Sequence, residues 1–83
     1  MAYDLVHVNT GEVIRGYRTL RGARIGMTVA NRNAGWRRGI WCETGGVEMR
    51  WSQPRAGGPH WWAPYGIRRP AWVWTGATIL TVA

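Results

Sequence analysis

The chain reads as an α+β domain: an antiparallel sheet of four or five strands with one helix packed on one face, in the order β-β-α-β-β-loop-β. Three observations predict it. Two short runs rich in β-branched and aromatic residues flank a turn at residues 9–12. Two more flank Gly45-Gly46. Between these hairpins, Leu20, Ala23, Met27 and Ala30 recur at helical spacing. The 83 residues suit a single domain with a thin core. Seven tryptophans and no phenylalanine are available to fill it.

The first strand covers Tyr3 to Val8 and the second Val13 to Arg18, joined by Asn9-Thr10-Gly11-Glu12 with the glycine at the turn. Their register is open. A two-residue loop pairs Val8 with Val13, whereas a bulged three-residue loop pairs Val6 with Ile14, and the two choices turn different side chains inward. The helix covers Thr19 to Asn33, with Thr19 as N-cap and Asn33-Ala34-Gly35 as its stop. Arg21, Arg24 and Arg32 fall largely off its apolar stripe. Gly22 and Gly26 each cost about 1 kcal/mol against alanine, which points to close helix–sheet packing at those positions.

Arg37 to Thr44 and Val47 to Ser52 form the second hairpin. Its two-residue glycine turn pairs Thr44 with Val47, Cys42 with Met49 and Ile40 with Trp51. That apolar face is expected to look at the helix or the core. The other face pairs Glu43 with Glu48 and Trp41 with Arg50, placing a guanidinium over the indole and two like charges side by side. Residues 53–70 then read as a long Pro/Gly/Trp-rich loop, holding all four prolines. Its aromatic content argues that it folds onto something. Ala71 to Ala83 reads as strand again, either one kinked strand or a short hairpin around Gly76.

Eleven basic residues, all arginine, face four acidic ones, for a formal net charge of +7. Such an excess attracts polyanions. Cys42 is the single cysteine, so an intramolecular disulfide is excluded and a reducing, cytoplasmic setting is expected. No signal peptide is read at the start, and no apolar run is long enough to span a bilayer.

Chemistry is scarce. Asp4, Glu12, Glu43 and Glu48 are the carboxylates, and His7 and His60 the histidines. No paired-ligand motif, nucleophile–base spacing or phosphate-binding glycine loop occurs, so neither enzyme activity nor a metal or other cofactor is expected. Cys42, on the apolar side of its hairpin, reads as an inert thiol.

The distinctive pattern is arginine interleaved with tryptophan. Arg37, Arg38, Trp41, Arg50, Arg55, Trp61, Trp62, Arg68 and Arg69 all fall in the second hairpin and the segment after it. Arginine meets phosphate with a planar two-pronged donor, and indoles stack on unpaired bases. These nine residues are the expected site for DNA or RNA. Trp51, Trp72 and Trp74 read instead as core.

The opening run, with Thr10-Gly11-Glu12 and Thr19-Leu20-Arg21-Gly22-Ala23-Arg24, resembles small accessory proteins encoded by actinobacterial phages, over residues 3–33. The resemblance implies a protein that works inside the bacterial host. It carries over no functional residue.

Three functions follow. The first is nucleic-acid binding through the arginine–tryptophan face. The second is capture of a host protein through His60, Trp61, Trp62 and Tyr65, residue types that dominate interface hot spots. The third is a homo-oligomer formed through the edge at Thr78 to Val82.

Overall fold

The computed structural model describes residues 2–70 and 81–82. Seven short strands and one helix follow in the order β1 (Tyr3–His7), β2 (Val13–Tyr17), α1 (Leu20–Asn33), β3 (Ile40–Thr44), β4 (Val47–Ser52), β5 (Trp61–Trp62), β6 (Tyr65–Arg68) and β7 (Thr81–Val82). Every pairing is antiparallel, with strand order β2-β1-β6-β4-β3-β7 and β5 on β4. The α+β architecture is the one the sequence predicts. No helix among the described residues is long and apolar enough to cross a membrane.

The first hairpin adopts neither register offered by its turn. Leu5 pairs with Arg15 but Val6 pairs with Val13, so the ladder shifts at Leu5/Val6 and Ile14 is the extra residue. A bulge of this kind adds local twist at an edge strand. The shift keeps Leu5 and Val6 buried while Val13 and Ile14 stay exposed.

Helix α1 begins as its sequence dictates. The Thr19 side-chain oxygen accepts from the Gly22 amide at 3.0 Å, and the helix ends just before Gly35, whose φ is +85°. Its apolar stripe packs on β1, β2 and β6. Leu5, Ala23, Met27 and Ile67 are buried together, ringed by Tyr3, Tyr17, Leu20, Ala30 and Tyr65. Burying Met27 alone contributes roughly 1.5–3 kcal/mol. Gly26 has a packing role, because the Tyr17 ring lies where a side chain there would project, whereas a Cβ at Gly22 would press on the capping Thr19 hydroxyl at 3.1 Å.

Residues 53–70 are not a plain loop. They contain β5 and β6, and β6 sits inside the sheet between β1 and β4. Pro64 and Pro70 bracket β6 and hide it in the sequence, since proline is tolerated just outside a strand. Both β5 and β6 pair with one edge of β4. Ser52 and Trp51 meet Trp61 and Trp62, while Glu48 and Val47 meet Ile67 and Arg68. Residues 63–66 therefore span the edge that only Met49 and Arg50 occupy on β4, and the chain must step outward. At that step the Asn31 side chain replaces a strand partner. Its amide nitrogen donates to the Tyr65 carbonyl at 3.1 Å, and its oxygen accepts from the Tyr65 amide at 2.9 Å. Two backbone groups that would otherwise be orphaned are thus satisfied by one helix residue.

The second hairpin pairs residue for residue as its glycine turn requires. Its faces are the reverse of the apolar expectation. Ile67 faces α1 and pairs with Glu48, so Glu48 faces α1 as well, and with it Arg50, Trp41 and Glu43. Ile40, Cys42, Thr44, Val47, Met49 and Trp51 turn to the other side, where Cys42 is buried as a free thiol. The helix tolerates a charged face because it brings its own counter-charge, Arg24. The final strand expected over residues 71–83, with Trp72 and Trp74, lies outside the described residues except for β7. That short strand pairs with Cys42 and Glu43 of β3.

Candidate nucleic-acid interface

After α1 the chain reverses and runs against the segment that leaves β4. The Trp36 amide donates to the Asn31 carbonyl at 3.0 Å, and Trp36 forms an isolated bridge with Pro54. The Arg37 amide donates to the Gln53 carbonyl and the Arg55 amide to the Gly35 carbonyl, both at 2.9 Å. This short ladder lengthens the open end of the β3–β4 hairpin and sets Arg37 and Arg55 on either side of Trp36. Two further contacts clamp it. The Ser52 hydroxyl donates to the Arg37 carbonyl at 2.6 Å. Gly39 has φ +75°, and a side chain there would come within 2.5 Å of the Trp51 carbonyl oxygen.

The clamp closes a cleft of about 420 Å³ between the second half of α1 and the hairpin. Arg32, Arg37, Arg38, Arg50 and Arg55 line it together with Trp36, and Thr28 and Asn31 complete the wall. Among the described residues no carboxylate lines it. A second, more open groove of about 690 Å³ shares Thr28, Arg38 and Arg50 with the cleft. It continues toward the helix start past Arg24 and Arg21, with Ile25 and Val29 on its helix side.

Beneath the cleft lies a buried charge cluster. Glu48 is fully buried. Arg24 grips its carboxylate with two bonds of 2.9 Å, Arg69 reaches it at 3.2 Å and Arg50 at 3.4 Å. Arg69 also meets Glu43 at 2.9 Å. Burial is the largest influence on Glu48 and opposes its ionisation, but the hydrogen bonds and charge of Arg24, with contributions from Trp41 and Arg69, together outweigh it and hold the carboxyl below the ordinary glutamate range. Burial pushes Arg50 below the ordinary arginine value, and Glu48 offsets this only in part. Three guanidiniums, those of Arg24, Arg50 and Arg69, share the two carboxylates of Glu43 and Glu48, leaving one positive charge in excess. Arg50 is the member of this cluster that also lines the cleft.

The structure divides the nine residues singled out in the sequence. Arg37, Arg38, Arg50 and Arg55 converge on the cleft. Arg69 is occupied by Glu43 and Glu48, and Arg68 pairs with Asp4 at 3.1 Å. Trp41 stands on the helix side with the Arg24 guanidinium, not that of Arg50, over its ring at 5.7 Å. Trp61 and Trp62 join Trp51 in an aromatic cluster, with ring centroids 5.9 and 4.9 Å from Trp51. Arg50 and Trp51, adjacent on β4, point to opposite faces, so the cleft and the Trp51–Trp62 pair do not share a surface. The alternative protein-binding set is divided too. His60 and Trp61 are exposed, whereas Tyr65 packs against the helix-side core and its ring meets His7 edge-on at 5.6 Å.

Arg21, Arg24, Thr28, Arg32 and Trp36 belong to the connected grooves and lie outside the predicted set. Their signal was present in the sequence. Positions 21, 24, 28 and 32 fall on one helical face, a basic stripe beside the apolar one. Comparison with known protein families, curated proteins and solved structures finds no match to this chain.

Proposed function

We propose that this protein is a non-enzymatic nucleic-acid-binding protein whose contact surface is the arginine cleft around Trp36. One observation carries the reading: five arginines from four separate parts of the chain meet around one indole, with no carboxylate of the described residues lining the space. Arg50 shares Glu48, but Arg32, Arg37, Arg38 and Arg55 have no carboxylate partner among the described residues, and phosphate relieves the repulsion between such guanidiniums with two-pronged hydrogen bonds. The net charge of +7 supplies long-range attraction to the same partner.

The test is fluorescence anisotropy of a labelled oligonucleotide across a salt series. If the five cleft arginines each displace a counter-ion, log affinity falls with log salt with a slope of roughly −3.5 to −4.5. Absence of binding at micromolar protein in about 50 mM salt would sink the reading.

A second reading has its own support. Trp61 is 63% exposed and is braced by Trp51 and Trp62. A braced, exposed indole suits the anchor of a protein interface. Trp61→Ala that loses a host protein in a pull-down, with oligonucleotide affinity unchanged, would favour that reading.

A further inference from the structure

We propose that the cleft receives one unpaired nucleotide, its base against Trp36 and its phosphates among the surrounding arginines, so that the protein selects single-stranded over duplex nucleic acid. This rests on the nucleic-acid reading above and narrows it. The first argument is shape. The arginines line a concave cleft of about 420 Å³, within the size range of small-ligand pockets. A concave site takes an element that projects from its ligand. In a duplex the bases are stacked inside and only the sugar–phosphate edge projects, whereas an unpaired nucleotide can offer base and phosphate together.

The second argument concerns what α1 lacks. A helix that reads duplex DNA lies in the major groove with polar side chains aimed at base edges. Here the most exposed apolar residues of α1 are Ile25 and Val29, at 59% and 38%. Neither can hydrogen-bond a base edge, and the exposed polar residues Arg21, Thr28 and Arg32 of α1 line the cleft and its groove instead. The flank toward β4 is committed to Glu48 through Arg24.

The third argument is continuity. The second groove leaves the cleft through Thr28, Arg38 and Arg50 and runs to Arg21, with Arg24, already bonded to Glu48, in its wall. The 14 residues of α1 span about 21 Å. That is a basic rail long enough for the backbone flanking the held nucleotide. Its apolar side, Ile25 and Val29, gives neighbouring bases a surface to rest on.

The decisive comparison uses three labelled probes of one mixed sequence: a single strand, a blunt duplex, and that duplex with a single-stranded overhang. The single strand and the overhang are expected to bind about tenfold or more tightly than the blunt duplex, the scale set by one stacked base. Trp36→Ala should remove that ratio while leaving the salt slope, and Trp36→Phe should keep most of it. Equal binding of all three probes overturns the inference and leaves the nucleic-acid reading standing. No binding of any probe overturns both. A folded Trp36→Ala that keeps the preference overturns the assignment to Trp36. If Trp36→Ala does not fold, the wild-type ratio and Trp36→Phe decide.

Discussion

Arg24 holds Glu48 through both oxygens, with Nε and Nη2 each 2.9 Å from a different one. This fork joins α1 to β4 across the helix-side face and occupies a fully buried carboxylate. It also places Arg24 over Trp41 and beside the open groove. This ion pair lies where the second hairpin meets the helix, and Glu48 links it to the cleft through Arg50.

Replacing Glu48 with glutamine should therefore be severe. The amide keeps the shape of the side chain but leaves Arg24, Arg50 and Arg69 with Glu43 as their remaining carboxylate. Breaking a buried pair by removing one partner costs about 3–5 kcal/mol. Urea denaturation should show a loss of that size for Glu48→Gln. Arg24→Ala should cost less, because the Arg24 side chain is 42% exposed and Arg50 and Arg69 still meet the carboxylate. A Glu48→Gln protein as stable as the parent would refute the structural role of the cluster.

Acid should erase the same difference. The folded-state pKa of Glu48 is depressed: burial opposes its ionisation, and Arg24, Trp41 and Arg69 together overcome that. A depressed carboxylate contributes stability that is present above its unfolded value of about 4.3 and is lost as pH falls through the folded value. The stability gap between parent and Glu48→Gln should be constant from neutral pH down to about 5, then narrow below about 4.3. A gap independent of pH down to the acid limit would mean that the ionised form contributes nothing.

Gly26 offers a test in which helix propensity and packing have opposite signs. Alanine at an exposed helical glycine stabilises by about 1 kcal/mol. Here a Cβ would overlap the Tyr17 ring, and both residues are built into the helix–sheet contact. Gly26→Ala should lower the thermal midpoint, and Tyr17→Ala combined with Gly26→Ala should cost less than the sum of the two single changes. Additivity of the two would show that the ring does not constrain the glycine.

Much of the fold was legible, and what was not has identifiable causes. Thr19 and Gly35 bound α1 because capping is a local effect. Gly45-Gly46 sets every pair of the second hairpin for the same reason. The orientation of that hairpin is not local. Its apolar parity suggests an inward face, but Arg24, sixteen or more positions earlier, supplies the charge that turns Glu48 inward. Strand β6 was hidden because Tyr65-Gly66-Ile67-Arg68 is short and lies between prolines, and its partners β1 and β4 are distant in sequence. The site was half legible for a related reason. Arg37, Arg38, Arg50 and Arg55 stand in the segment where arginine and tryptophan mix. Their companions from α1 lie beside its apolar stripe, where a basic stripe on a helix is ordinarily just its solvated face. Arg68 and Arg69 share the composition of the cleft residues, and only tertiary pairing with Asp4, Glu43 and Glu48 distinguishes them.

That distinction can be measured. Arg55 lines the cleft and has no described carboxylate partner, whereas Arg68 is spent on Asp4 at 3.1 Å. Both substitutions remove one charge from a chain of +7, so a purely general attraction would respond to them equally. A local contact would not. Arg55→Ala should weaken oligonucleotide binding several-fold and lower the magnitude of the salt slope by about 1, as expected for one lost phosphate contact. Arg68→Ala should leave the slope unchanged and cost at most about 1 kcal/mol of stability, the worth of an exposed ion pair. Arg38→Ala, at the junction of the two grooves, should resemble Arg55→Ala. Equal loss from Arg55→Ala and Arg68→Ala would show that total charge, and not the cleft, holds the nucleic acid.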